Sequence, residues 1–190
     1  DRFYHFILLA KDEIGHKQIM ELSARAWKRS YTYFHRRIPT YYSDIKEVIG
    51  QNPGHVVGAT ACLGGFLSTA LVRAAKYEHS DKETYDDYVE LQPGLSKEQL
   101  TANPRLLDAA KSHGLTPIIT TDSHYLKKED KKLHAAFLNS KGGDRETEAF
   151  YEATFMMDSQ EIHSRMDENI GSEEVSELLA NTLAVGDMFE

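Results

Sequence analysis

Short apolar runs alternate along the chain with longer segments in which apolar positions recur every three or four residues. Residues 4–10 (YHFILLA) read as a strand, and Ile14, Ile19, Leu22 and Trp27 then carry a helical stripe through residues 13–30. Residues 41–50 predict a short helix with Ser43 as its N-cap. The next strand is 55–62 (HVVGATAC), ended by Gly64-Gly65 and followed by a helix over 66–77. Residues 85–92 (YDDYVELQ) form a third strand, stopped by Pro93-Gly94. Ser96 and Gln99 have capping-box spacing, but the helix they start should bend or restart at Pro104, so that 106–112 is its stronger part. Gly114 ends it, and 117–121 (PIITT) is the fourth strand. Residues 127–139 are helical, 140–152 form a polar loop, 155–157 (FMM) a brief strand, and helices near 159–167 and 172–188 close the chain.

This alternation predicts an α/β fold with right-handed crossovers and mostly parallel strands, either an open doubly wound sheet or part of a barrel. In both, chemistry belongs at the carboxyl ends of the strands. A length of 190 residues suits one domain with at most a small appendage. With 22 basic against 30 acidic residues the formal charge is -8, which argues against a module built by itself to grip nucleic acid. One cysteine, Cys62, excludes an internal disulfide and fits a reducing, cytoplasmic setting. The longest uncharged run, Val56 to Val72, is shorter than the roughly 20 residues of a membrane span and is broken by Gly58, Gly64 and Gly65. No signal peptide is visible. A chain opening on Asp1 rather than methionine is expected of a fragment or a processed polypeptide.

The sharpest chemical feature is Thr121-Asp122-Ser123-His124 at the end of the fourth strand. If the strand alternation continues, Asp122 and His124 project together with Ile118 and Thr120, a carboxylate and an imidazole suited to a divalent cation. The plainer reading makes Asp122 the cap of the next helix and His124 a surface residue. Cys62 sits at the corresponding end of the second strand, where a thiolate could ligate a metal, although a buried free cysteine ordinarily serves as a small hydrophobe. Glu90 lies mid-strand on one face with Tyr88 and Gln92, so it either faces solvent or points at something positive. His5 opens an apolar strand and carries no reading alone. The remaining histidines scatter over helices and loops, His134 being a candidate to support a neighbouring ligand. No glycine-rich phosphate loop, nucleophile elbow or zinc-protease motif occurs.

Taken in order, YHFILLAKDEIGHKQIMELS at 4–23, GHVVGATACLGG at 54–65, YVELQPG at 88–94 and NPRLLDAAKSHGLTPIITTDSHYL at 103–126 resemble the PHP domain of bacterial or phage replicative DNA polymerase III alpha subunits (family C polymerases). KKEDKKLHAAFLNS at 127–140, FMMDSQEI at 155–162 and ELLANTLAVGDMFE at 177–190 extend the resemblance over nearly the whole chain. It implies a partial distorted β/α barrel over 1–170 and, in 171–190, a helix leading toward the polymerase part. It also implies divalent ions, zinc or manganese, up to three in a complete site. Position by position, the implied ligands are His5, Cys62, Asp122 and His124, with Glu90 as a catalytic or positioning group. His5 stands at the start of its apolar run, whereas the strand-end rule wants ligands at the exit. The family's opening His-x-His strand and further ligands are expected before residue 1, and a barrel lacking its first strands would expose sheet edges and apolar surface.

The leading expectation is a metal-dependent 3′–5′ exonuclease of the proofreading kind, reaching DNA through its parent polymerase, with the other polymerase domains and replisome subunits as partners and no membrane. A catalytically silent PHP scaffold that stabilises the polymerase is the alternative. A stand-alone PHP phosphatase is the third reading.

Overall fold

The computed structural model describes residues 4–29, 40–73, 87–140 and 150–189. Residue 30, His35, the helix extension 74–77, His79, the strand start 85–86 and most of the 140–152 loop lie outside those residues. The described elements are β1 (Ile7–Ala10), α1 (Glu13–Arg29), α2 (Tyr42–Gly50), β2 (Val56–Ala59), α3 (Phe66–Arg73), β3 (Tyr88–Leu91), α4 (Lys97–His113) and β4 (Thr116–Ile119). They continue with a 3-10 turn (Lys128–Asp130), α5 (Lys131–Asn139), a second 3-10 turn (Phe150–Ala153), α6 (Ser159–Ile170) and α7 (Ser172–Gly186). No described helix is long and apolar enough to cross a membrane.

The strands form one open sheet in the order β1-β2-β3-β4. β2–β3 and β3–β4 pair in parallel, while β1 runs antiparallel to β2 with Ile7 opposite Ala59 and Ala10 opposite Val56. Combined with the pairings Ala59–Tyr88 and Leu91–Ile119, alternation puts Leu8, Val56, Val89, Leu91 and Ile119 on one face. That face carries both core clusters. Val89, Leu91 and Ile119 pack with Ala102, Leu106, Ile162, Met166, Val175 and Leu178 of α4, α6 and α7. Val56 packs with Leu22, Ile45, Val48 and Ile49 of α1 and α2. Helices packed along one face of a mostly parallel sheet are compatible with a strip of β/α barrel. The other face carries Ile7 and Leu9, both exposed on the edge strand, together with Glu90 and Ile118.

Local chemistry explains the element ends. Tyr41, not Ser43, caps α2: its N–H donates to Asp44 Oδ2 at 3.1 Å. Ser96 Oγ accepts the Gln99 N–H at 3.2 Å, and Gly114 closes α4 in the left-handed region at φ 66. α4 nonetheless runs unbroken through Pro104. Proline cannot donate to the carbonyl four residues back, and that carbonyl, Leu100 O, instead accepts from Asn169 Nδ2 of α6 at 3.0 Å. The FMM segment contributes one bridge, Phe155 to Tyr125, rather than a strand.

β4 is an edge strand, and α7 closes it with side chains. The Ile119 N–H donates to Thr182 Oγ1 at 3.0 Å, and Asn181 Nδ2 donates to the Pro117 carbonyl at 3.0 Å. Thr182→Val leaves the Ile119 N–H without its acceptor and is expected to lower unfolding stability by about 1–3 kcal/mol, read from the urea midpoint. An unchanged midpoint would mean that α7 is not seated on β4.

Candidate metal centre at the exit of the sheet

The Cys62-Leu63-Gly64-Gly65 turn follows β2 and builds one wall of the site. The Gly65 N–H donates to Cys62 O at 2.8 Å, and a Cβ on Gly65 would lie 2.1 Å from Thr60 O, so only glycine makes the turn. His5 lies against this turn: its N–H donates to Gly64 O at 3.0 Å, and its Nδ1 is 3.3 Å from Cys62 Sγ. The antiparallel course of β1 brings this about. Its start, not its end, lies beside the carboxyl ends of β2–β4, which corrects the expectation that residue 5 stands at the wrong end of its strand. Ala61, at φ 60, interrupts the side-to-side alternation after β2, and Cys62 turns toward His5.

Glu90 is 4% exposed and faces neither solvent nor a cation among the described residues. Its Oε1 accepts the Ala61 N–H at 3.1 Å and its Oε2 accepts from Thr120 Oγ1 at 2.7 Å. The Glu90 N–H donates to Thr60 Oγ1 at 2.9 Å. Side chains thus bridge β2 and β3 where the left-handed Ala61 ends the backbone ladder. Burial pushes the Glu90 carboxyl above its ordinary 4.5, against its two hydrogen bonds, and the Asp122 charge adds to the rise. Burial likewise pushes the Cys62 thiol up; the Asp122 and Glu90 charges raise it further, and a hydrogen bond from the Gly64 backbone opposes them. Cys62, Glu90 and Asp122 therefore share one electrostatic neighbourhood.

β4 ends at Ile119, and Asp122 adopts φ 46, so the alternation expected to align Asp122 with His124 does not reach them. Asp122 is no helix cap either, because the next turn begins at Lys128 behind Lys127. His124 Nδ1 lies 2.6 Å from the Asp122 carbonyl oxygen, and its ring meets His134 edge-on at 5.6 Å. Tyr125 packs on His134 at 5.5 Å and stacks on Phe155 at 6.2 Å. Burial, with the nearby His124, pulls the His134 imidazole below its usual value. Among the described residues no three His, Cys, Asp or Glu side chains converge closely enough to hold a metal ion. His5 and Cys62 provide an N/S donor pair of the kind zinc takes, with Asp122 and Glu90 beside it. Among the described residues this donor pair falls short of a complete ligand set for a metal ion.

Thr120, Gln92 and Gln99 were not singled out as site residues, yet they stand in or next to this centre. Its place two residues after Glu90, on the same face of the third apolar run, is the signal that could have found Gln92.

No protein-family profile matches the chain. The chain is 38% identical over 212 aligned positions to the "Probable DNA polymerase YorL" of Bacillus subtilis (strain 168), a match covering 100% of this chain and 16% of that protein. The figures are the same for the "DNA-directed DNA polymerase" of Bacillus phage SPbeta. The "DNA polymerase III subunit alpha" of Aquifex aeolicus is 32% identical over 142 aligned positions, covering 71% of this chain and 12% of that protein. Over its whole length the chain is thus similar to a segment of these DNA polymerases. It spans about a sixth of the length of the first two relatives, so it corresponds to one segment of such a polymerase.

Glu90 gives the fold a pH signature. A carboxyl whose folded pKa is raised stabilises the fold fully below its unfolded value, and that stability is lost as pH rises through the folded value. Glu90→Gln removes the loss. In chelator-treated protein, the variant's melting temperature relative to wild type is expected to climb as pH increases above about 4.5. A difference that is flat with pH contradicts the raised carboxyl.

Proposed function

We propose that this polymerase segment is part of a PHP-type, metal-dependent phosphoesterase centre that hydrolyses the 3′-terminal phosphodiester of DNA during replication. The observation that carries the reading is the contact of His5 Nδ1 with Cys62 Sγ at 3.3 Å, at the end of the sheet where Glu90 and Asp122 also gather. In this reading His5 and Cys62 hold a zinc- or manganese-class ion, and Asp122 and His124 complete the set with ligands outside the described residues. Up to three ions would occupy the complete centre. Bound divalent ions supply Lewis acidity at the phosphate and neutralise its charge. Glu90 positions the centre by bracing Ala61 and Thr120. A buried thiol must lose its proton to ligate, so metal affinity rises with pH. DNA reaches the centre through the parent polymerase, whose other domains and replisome subunits are its partners in the cytoplasm.

A scaffold role is the second reading. What favours it is that Glu90 is engaged in tying the segments after β2 and β4 together, and that among the described residues the donor contact is the single pair His5–Cys62.

The test uses the full-length polypeptide purified without chelator, with metal content measured by mass spectrometry beside 3′-end degradation of single-stranded DNA. Wild type is expected to carry zinc- or manganese-class ions and to degrade DNA. Cys62→Ala and Asp122→Asn are expected to lower both metal content and rate by at least about 10–100-fold, the scale known for lesser disruptions of metal sites. Metal-free wild-type protein, or variants equal to it, would establish the scaffold instead.

A further inference from the structure

Four lysines, Lys127, Lys128, Lys131 and Lys132, stand within six residues of a chain whose formal charge is -8. Glu129 and Asp130 lie between them, so the segment keeps a charge of +2. Asp130 is committed to the turn, its Oδ2 accepting the Lys127 N–H at 3.1 Å. Elsewhere cations meet carboxylates at 3.6 Å or closer: Lys17 with Glu13, Arg25 with Glu21 and Glu47, Arg29 with Asp44, Lys111 with Glu174, and Arg165 with Glu161. None of the four clustered lysines forms such a pair among the described residues. Like charges three and four residues apart on a helix repel one another, so the cluster gains nothing for the fold.

Its place in the fold says what it meets. The cluster follows Asp122 and His124 directly in sequence, and α5, which carries Lys131 and Lys132, is held against them. The His134 ring of that helix meets His124 edge-on at 5.6 Å and lies 5.5 Å from the Tyr125 ring. Leu126 and Leu133, at either end of the cluster, are exposed as well. The overall charge repels a polyanion, but at physiological salt it is screened beyond about 8 Å. An approaching strand therefore feels this segment rather than the sum. A nucleic-acid strand offers single negative charges at regular spacing, which lysines meet as point charges, with apolar sugar and base surface between them.

This step rests on the phosphodiesterase reading above. We infer that Lys127, Lys128, Lys131 and Lys132 form a phosphate track for the single DNA strand whose 3′ end enters the centre. Acidic protein surfaces and anionic membranes also attract lysines. Contact of the same helix with the Asp122–Tyr125 segment favours the strand, because that is where the reading brings it. The track holds the strand through its backbone and is indifferent to base sequence.

The test maps lysine reactivity in the full-length polypeptide, kept in chelator so that no strand is cut. Acetylation is followed residue by residue by mass spectrometry, with and without an oligothymidylate strand. The four lysines are expected to react freely alone and several-fold more slowly with the strand, while Lys17 and Lys111 keep their rates. Replacing all four by glutamine removes no carboxylate partner. It is expected to make the fall of log K with log salt shallower by about 0.7 for each lysine that meets a phosphate. Equal reactivity with and without the strand, protection of Lys17 and Lys111 to the same degree, or an unchanged salt slope overturns the track. So do lysines that are unreactive from the start, which another part of the polypeptide covers, and lysines slowed by phosphatidylserine vesicles but not by the strand. Hydrolysis is read separately in metal-loaded protein. Protection without cleavage sinks the phosphodiesterase reading alone, and cleavage without protection sinks the track alone.

Discussion

The antiparallel pairing of β1 with β2 is the constraint on which the candidate centre depends. Were β1 parallel like its neighbours, its residue 5 end would lie at the far side of the sheet, away from the carboxyl ends where βα turns gather side chains. Reversed, it delivers His5 to the Cys62–Gly65 turn and leaves Ile7 and Leu9 on an open edge. On the face opposite the two core clusters, Glu90 and Ile118 are buried while the edge-strand residues Ile7 and Leu9 are exposed. An edge strand exposing two large aliphatic residues is a surface that a folded protein ordinarily covers.

Around that constraint, two left-handed residues redirect the chain. Ala61 takes the backbone out of the β2 ladder, and Glu90 and Thr60 replace the missing backbone bonds with side-chain ones. Asp122 does the corresponding thing after β4. Positive φ at a non-glycine residue is uncommon, and such conformations gather at functional sites. Here both sit at strand exits, one next to Cys62 and one at the residue whose charge Cys62 and Glu90 feel. The buried carboxyl of Glu90 and the buried thiol of Cys62 are both held toward their protonated forms by the same desolvation. A cation placed among them would reverse that bias for both.

Much of the architecture is legible from local pattern. Apolar runs located all four strands, Ser96 with Gln99 marked a helix start, Gly114 marked its end, and the cysteine-glycine turn pointed to a strand exit. What escaped depended on non-local partners. The direction of β1 is a pairing choice that its own residues do not encode. The passage of α4 through Pro104 depends on Asn169, more than sixty residues away in sequence, satisfying Leu100 O. The alternation argument for Asp122 and His124 assumed a strand that stops at Ile119. Glu90 defied both of its expected surroundings because its partners, Ala61 N–H and Thr120 Oγ1, come from the segments that follow the two neighbouring strands.

The claim at the centre of this account is that His5 and Cys62 form a metal-binding pair. Cobalt(II) substitution tests it most directly, because a thiolate bound to cobalt gives a near-ultraviolet charge-transfer band that nitrogen and oxygen ligands do not. The account predicts that band in the cobalt-loaded full-length polypeptide, abolished by Cys62→Ser and weakened by His5→Ala. Cobalt uptake with no such band, or a band that survives in Cys62→Ser, would contradict it.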